Sequence, residues 1–109
     1  MIRGVVYQID LCDARGHEQR GHRYGLVVSP SDMPWTVATV VPTSTSAQPA
    51  VFRPEIEVAG LPTRLLVDQI RSIDTAFIGD PVEVLDPIAM SEVSDVLARY
   101  LGIAPDLAR

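Results

Sequence analysis

The chain contains no lysine; its fixed side-chain cations are nine arginines. The planar guanidinium fork matches phosphate oxygens. A GC-rich genome would produce the same bias without any functional cause. In either case, any phosphate contact made here by a fixed cation is made by arginine. The single cysteine, Cys12, excludes an intramolecular disulfide and a cysteine metal cluster. No apolar run approaches the length of a membrane span, so no membrane partner is expected. Met1-Ile2-Arg3 leads straight into a strand pattern, which implies no signal peptide and a cytoplasmic location. Internal repeats and low-complexity segments are missing too. At 109 residues and 47% hydrophobic, the chain is expected to form one domain, 1–109, with a small core.

The net charge of −5 argues against a nucleic-acid partner until its distribution is read. Arginines 3, 15, 20, 23, 53, 64 and 71 balance acids 10, 13, 18, 32, 55, 57 and 68. Acids 74, 80, 83, 86, 92, 95 and 106 face only Arg99 and Arg109, so the excess lies in the C-terminal third. Residues 15–23 hold three arginines and two histidines against Glu18 alone, a local basic patch on an acidic protein.

Residues 3–11 alternate as a half-buried strand, with Val5, Tyr7 and Ile9 against Val6, Gln8 and Asp10. Residues 12–23 read as a polar loop that feeds an apolar strand over 24–29. Its charged residues therefore sit at the mouth of a rigid element, where function concentrates; a solvated hairpin tip would read the same way. Two prolines make 30–34 a turn. Residues 35–41 are β-branched and suit a central strand, ended by Pro42. Trp35 fits core or a dimer contact better than a stacking platform. The hydroxyl cluster Thr43-Ser44-Thr45-Ser46 follows. Further strands are expected over 55–58, 64–67, 69–73 and 77–85, with a turn at Gly60-Leu61-Pro62 and a break near Asp68. Asp86-Pro87 starts a helix, as cap and first residue. Ile88, Val93, Val96, Leu97, Tyr100 and Leu101 keep helical spacing until Gly102. Short strands followed by one helix predict a mainly β protein, a small curved antiparallel barrel with the helix on one open end.

His17 and His22 lack a convincing third ligand, so a metal site is poorly supported. No Gly-x-Ser-x-Gly elbow supports a serine hydrolase. Arg23 and the hydroxyls at 43–45 both lie at strand ends and could share one rim. An arginine beside a hydroxyl suits a phosphate. RNA carries its own nucleophile, the 2′-hydroxyl, so such a site needs no metal. Purely structural roles for the same residues are the competing reading.

Several stretches, in order, resemble the MazF/PemK family of toxin endoribonucleases. They are Arg3-Gly4-x-x-Tyr7-x-x-Asp10-Leu11; Gly16-His17-Glu18-Gln19-x-Gly21-His22-Arg23 followed by Val27-Val28-Ser29-Pro30; Val41-Pro42-Thr43-Ser44-Thr45; and Asp68-Gln69-Ile70-Arg71-Ser72-Ile73. The helix ending Leu101-Gly102-Ile103 fits as well.

The resemblance implies an SH3-like barrel of the MazF/PemK/CcdB type, acting as a homodimer. It also implies metal- and cofactor-free cleavage of single-stranded RNA at short sequences, leaving a 2′,3′-cyclic phosphate, and a MazE-like antitoxin partner. Catalysis maps to Arg23, to the hydroxyl of Ser44 or Thr43, and to Glu18 as proton acceptor or clamp on Arg23. RNA contacts map to Gln19, Arg20, His22, Tyr24, Thr45, Gln69 and Arg71. Tyr24 stands where the family has proline: it either stacks on a base or packs in the barrel. Gln69 and Arg71, read on one strand face, either contact RNA or close the barrel as a hydrogen-bonded pair. The acidic helix is expected to point away from RNA. The competing function is a non-catalytic, CcdB-like toxin binding a protein such as DNA gyrase; a third is an inactive barrel kept as a binding module.

Overall fold

A computed structural model describes residues 1–11, 22–32 and 36–103. Trp35 and the candidate site residues Glu18, Gln19 and Arg20 lie outside the described residues, as do Cys12 and His17. The described strands are β1 (Val5–Asp10), β2 (His22–Val27), β3 (Val37–Ser44), β4 (Glu55–Val58), β5 (Leu61–Leu65), β6 (Arg71–Asp74) and β7 (Ile78–Val84). The helix α1 spans Pro87–Tyr100. All strand pairs are antiparallel, in the order β4-β5-β3-β2-β1-β7, with β6 also paired to β3. The sheet curls into a half-barrel, as the mainly β expectation required.

β3 is the hub. One edge pairs with β2; the other pairs first with β6, through Val37 to Val40, then with β5, through Thr43 and Ser44. The expectation that Pro42 ends this strand is wrong. A strand residue directs its N–H and C=O to the same neighbour. The Pro42 carbonyl accepts from Leu66 N at 2.8 Å, so its ring faces the gap between β6 and β5, where no donor is needed. The strand therefore carries Thr43 and Ser44 as sheet residues.

Three other boundaries differ from the sequence reading. His22 and Arg23 open β2 rather than closing a loop. The β4–β5 turn is Ala59-Gly60, both at positive φ (50° and 81°), and Leu61 and Pro62 already belong to β5. Two consecutive positive φ values match the twist of the flanking strands. Finally, Val67–Gln69 forms a 3-10 turn instead of continuing a strand.

Alternation along β1 serves two cores. Val5, Tyr7, Ile9 and Leu11 pack inside the half-barrel with Val27, Val40 and Ile73. Val6 faces the other way, with Leu26, Val41, Leu65 and Val67, under Val93 and Leu97 of α1. β1 is thus buried on both faces where it starts, not half-buried throughout. The helix forms as its sequence predicts: Asp86 Oδ1 accepts from Ala89 N at 2.8 Å and Pro87 is the first residue. Gly102, at φ 72°, lets Ile103 N reach Ala98 O and Gly102 N reach Arg99 O, which closes the last turn. Burying Val93 and Leu97 stabilises this docking by about 1.5–3 kcal/mol each. Among the described residues no helix is long and apolar enough to cross a membrane.

Candidate active site

β2 and β3 bring Arg23 and the hydroxyl cluster together. Gly25 pairs with Pro42, Leu26 with Val41 and Val27 with Val40. Carrying that register two residues further along both strands sets Arg23 level with Ser44, on the same face. Both line one cavity of about 740 Å³ at the end of the sheet, together with His22, Tyr24, Thr43, Thr45 and Ser46. No residue of α1 lines it, so the acidic helix does lie away from the site.

The two candidate hydroxyls are not equivalent. Thr43 is 4% exposed and its Oγ1 donates to the Tyr24 carbonyl at 2.9 Å. It ties β3 to β2 where regular pairing stops. Ser44 is half-buried, on the opposite face, and its Oγ accepts from Ser46 N at 3.2 Å. Ser46 Oγ also lies 3.4 Å from Ser44 Oγ, so the Ser44 proton is either shared with Ser46 or turned to an incoming acceptor. A bound phosphate is an obvious acceptor. Arg23 is exposed, and among the described residues no carboxylate lies within ion-pair distance of it. The local backbone is packed tightly behind this pair: a Cβ on Gly25 would lie 2.5 Å from Ile9 Cδ1, so any larger residue forces the buried Ile9 side chain to shift. Among the described residues no three His, Cys, Asp or Glu side chains converge into a metal-binding group.

His22, Tyr24 and Thr45 are exposed along the same cavity. Gln69 and Arg71 do not line it. The expectation that they share one strand face fails, because Gln69 ends the 3-10 turn while Arg71 opens β6 opposite Val40. Backbone bonds close that turn, Gln69 N donating to Leu66 O at 2.9 Å and Ile70 N to Val67 O at 3.2 Å, and within it the Asp68 carboxylate accepts two hydrogen bonds from Arg53, from Nε at 3.1 Å and Nη2 at 2.9 Å. Those bonds hold the Asp68 carboxyl below the usual carboxylate range, against partial desolvation, and raise Arg53. Glu18, Gln19 and Arg20 fall outside the described residues.

The sequence reading missed seven lining residues, Gln8, Ile9, Asp10, Ala76, Phe77, Ile78 and Gly79. Gln8 and Asp10 continue the face of Val6 beyond the helix, a signal present in the alternation of β1. Phe77 and Gly79 come from the 3-10 turn and bulge that start β7, which no local pattern marks.

Fold and site define a small curled-sheet protein with an arginine–hydroxyl cavity at one end. Residues 2–101 match the family described as PemK-like, MazF-like toxin of type II toxin-antitoxin system. The chain belongs to that family. The candidate toxin Rv3098A/RVBD_3098A of Mycobacterium tuberculosis is 63% identical over 105 residues, covering 94% of this chain and 99% of that protein. MazF from Deinococcus radiodurans shares the fold with a TM-score of 0.82 at 24% identity, over 94% of this chain and 96% of that one. A mycobacterial endoribonuclease, solved in complex with its cognate antitoxin, shares it with a TM-score of 0.78 at 21% identity, over 96% and 98%. The chain is thus a toxin of the toxin-antitoxin class, with endoribonucleases among its structural neighbours.

Proposed function

We propose that this protein is a metal-independent endoribonuclease that cuts single-stranded RNA by attack of the 2′-hydroxyl on the adjacent phosphorus. The 2′-oxygen forms a bond to phosphorus while the bond to the 5′-oxygen breaks. The products are a 2′,3′-cyclic phosphate and a 5′-hydroxyl, which takes up a proton. The observation that carries this reading is Arg23 and Ser44 level with each other on one face of one cavity. The Arg23 guanidinium neutralises the charge that builds on the non-bridging oxygens. The Ser44 hydroxyl donates to one of them. Thr43, bonded to the Tyr24 carbonyl, holds the strand ends in register. Glu18, which precedes β2 in the sequence, accepts the 2′-proton. Gln19, Arg20, His22 and Thr45 steer and hold the RNA backbone. Growth arrest follows from loss of RNA; the active form is a homodimer in the cytoplasm, neutralised by a MazE-like antitoxin.

The test is purified protein with mixed-sequence RNA in excess EDTA, followed by sequencing of fragment ends. Cuts at one short motif with 2′,3′-cyclic phosphate ends are expected. Intact RNA from a folded protein would defeat the reading and favour a protein target.

A further inference from the structure

The cavity has a second side that the reaction above does not use. Arg23 and Ser44 belong to the barrel-facing side of the sheet. Gln8 and Tyr24, which are paired across β1 and β2, alternate onto the opposite side. The neighbour on the other flank is β7, and here the ladder is irregular. Ile9 pairs with Ile78 and Tyr7 with Pro81, so Gln8 alone faces both Gly79 and Asp80. This is a β-bulge, a feature concentrated beside binding sites because it re-aims the strand.

Gly79 sits at that bulge without a conformational need for glycine. Its φ is not positive, and an added Cβ would make only ordinary contact, 3.5 Å from Gln8 Cβ. What glycine does leave is open floor beside Gln8. A strand glycine marks a bulge or close approach by another group, and here it leaves room for one. Two exposed aromatics flank this floor: Tyr24, 37% exposed, on β2, and Phe77, 44% exposed, just before β7. Phe77 is held in place by a short turn in which Asp74 Oδ1 accepts from Ala76 N at 2.8 Å. A flat ring suits all of these features.

We propose that Gln8 and Gly79 form the floor, and Tyr24 and Phe77 the walls, of a slot for one nucleobase next to the cleaved phosphate. The inference rests on the RNA reading above and adds a base-reading element to it. Stacking on the aromatics supplies affinity, and the Gln8 amide, which can donate and accept, reads the base edge.

Two measurements test the slot. Binding is read first, by fluorescence anisotropy with mixed-sequence single-stranded 2′-fluoro RNA, which cannot be cut. Phe77→Ala is expected to weaken it by about 5- to 100-fold, and Phe77→Trp to retain it. Gly79→Val is expected to weaken binding while the melting temperature holds; Gly79→Ala serves if valine impairs folding. Cleavage of all-ribose RNA is read second. Phe77→Ala raises KM more than it lowers kcat, and Gln8→Ala broadens the cleaved motif at one position. Unchanged binding in both Phe77→Ala and the glycine variant would overturn the slot, as would a wild type that binds no 2′-fluoro RNA. Binding that depends on Phe77 without any cleavage of ribose RNA would instead defeat the catalytic reading and leave the slot standing.

Discussion

Arg23 near Ser44 and Arg53 beside Asp68 are each an arginine set against a short polar side chain, and both partners belong to motifs shared with the family. Their surroundings separate them. Arg53 spends its fork on Asp68, whose backbone carbonyl also accepts from Tyr100 Oη at 3.2 Å; the Tyr100 ring meets Phe52 edge-on at 5.1 Å between centroids. These contacts lock the segment before β4, the 3-10 turn and the end of α1 together. Arg23 stands at a strand end, exposed, with no carboxylate in reach among the described residues. An arginine already satisfied by a carboxylate holds a fold. One left facing a cavity has its charge available to a phosphate.

Breaking the catalytic half of this contrast should give the largest effect. Arg23→Ala is expected to lower the RNA cleavage rate by about 10²–10³-fold, as removal of one preorganised donor does. Its melting temperature should stay near the wild-type value, because the side chain is exposed. A cleavage rate equal to wild type would remove Arg23 from the mechanism.

The paired hydroxyls sharpen the comparison further. Ser44→Ala is expected to cut activity by about 10²-fold with little change in stability. Thr43→Val removes the buried hydroxyl and leaves the Tyr24 carbonyl without its donor. That should cost about 1–3 kcal/mol of stability. For a domain of this size, each kcal/mol is about 4–8 °C in melting temperature. If Thr43→Val lost activity while melting normally, and Ser44→Ala cut RNA fully, the assignment of the two hydroxyls would have to be exchanged.

Gly25→Ala probes the backing of the site. The added Cβ collides with buried Ile9, so a loss of about 1–3 kcal/mol is expected by denaturant unfolding.

The smallest effect belongs to the structural arginine. Asp68 is partly exposed, so its pair with Arg53 contributes about 0.5–1 kcal/mol after solvent screening. The folded-state pKa of Asp68 is lowered below its unfolded value, near 3.9. That stability is therefore present above the unfolded value and lost as pH falls through the lower folded one. Asp68→Asn should melt a few degrees below wild type at pH 7, with the gap closing under strongly acid conditions. RNA cleavage by Asp68→Asn at pH 7 should be unchanged. A gap that persisted in acid would mean that Asp68 acts through shape and not charge.

Local pattern carried the reading a long way. The alternation of residues 5–10, the strand at 55–58 and the Asp86-Pro87 start with its Gly102 stop are encoded within a few neighbouring residues, because capping and alternation are local physics. The family motifs also singled out Arg23 and the hydroxyls. Proline misled where a partner strand mattered: Pro42 breaks an isolated strand but sits safely at the gap between β6 and β5. Gln69 and Arg71 alternate on paper, yet a 3-10 turn over Val67–Gln69, tied to Arg53 through Asp68, interrupts the chain between β5 and β6.

By itself, then, the sequence determined a small mainly β chain with a C-terminal helix, and it named Arg23 and the hydroxyls at 43–45 as candidates for one rim. Only the tertiary structure decided which hydroxyl stands beside Arg23, that Gln69 and Arg71 stay outside the cavity, and that Phe77 and Gly79 join it. The physical reason is that register and curl act between strands distant in the chain. A one-residue step between Thr43 and Ser44 turns a hydroxyl from one face of the sheet to the other.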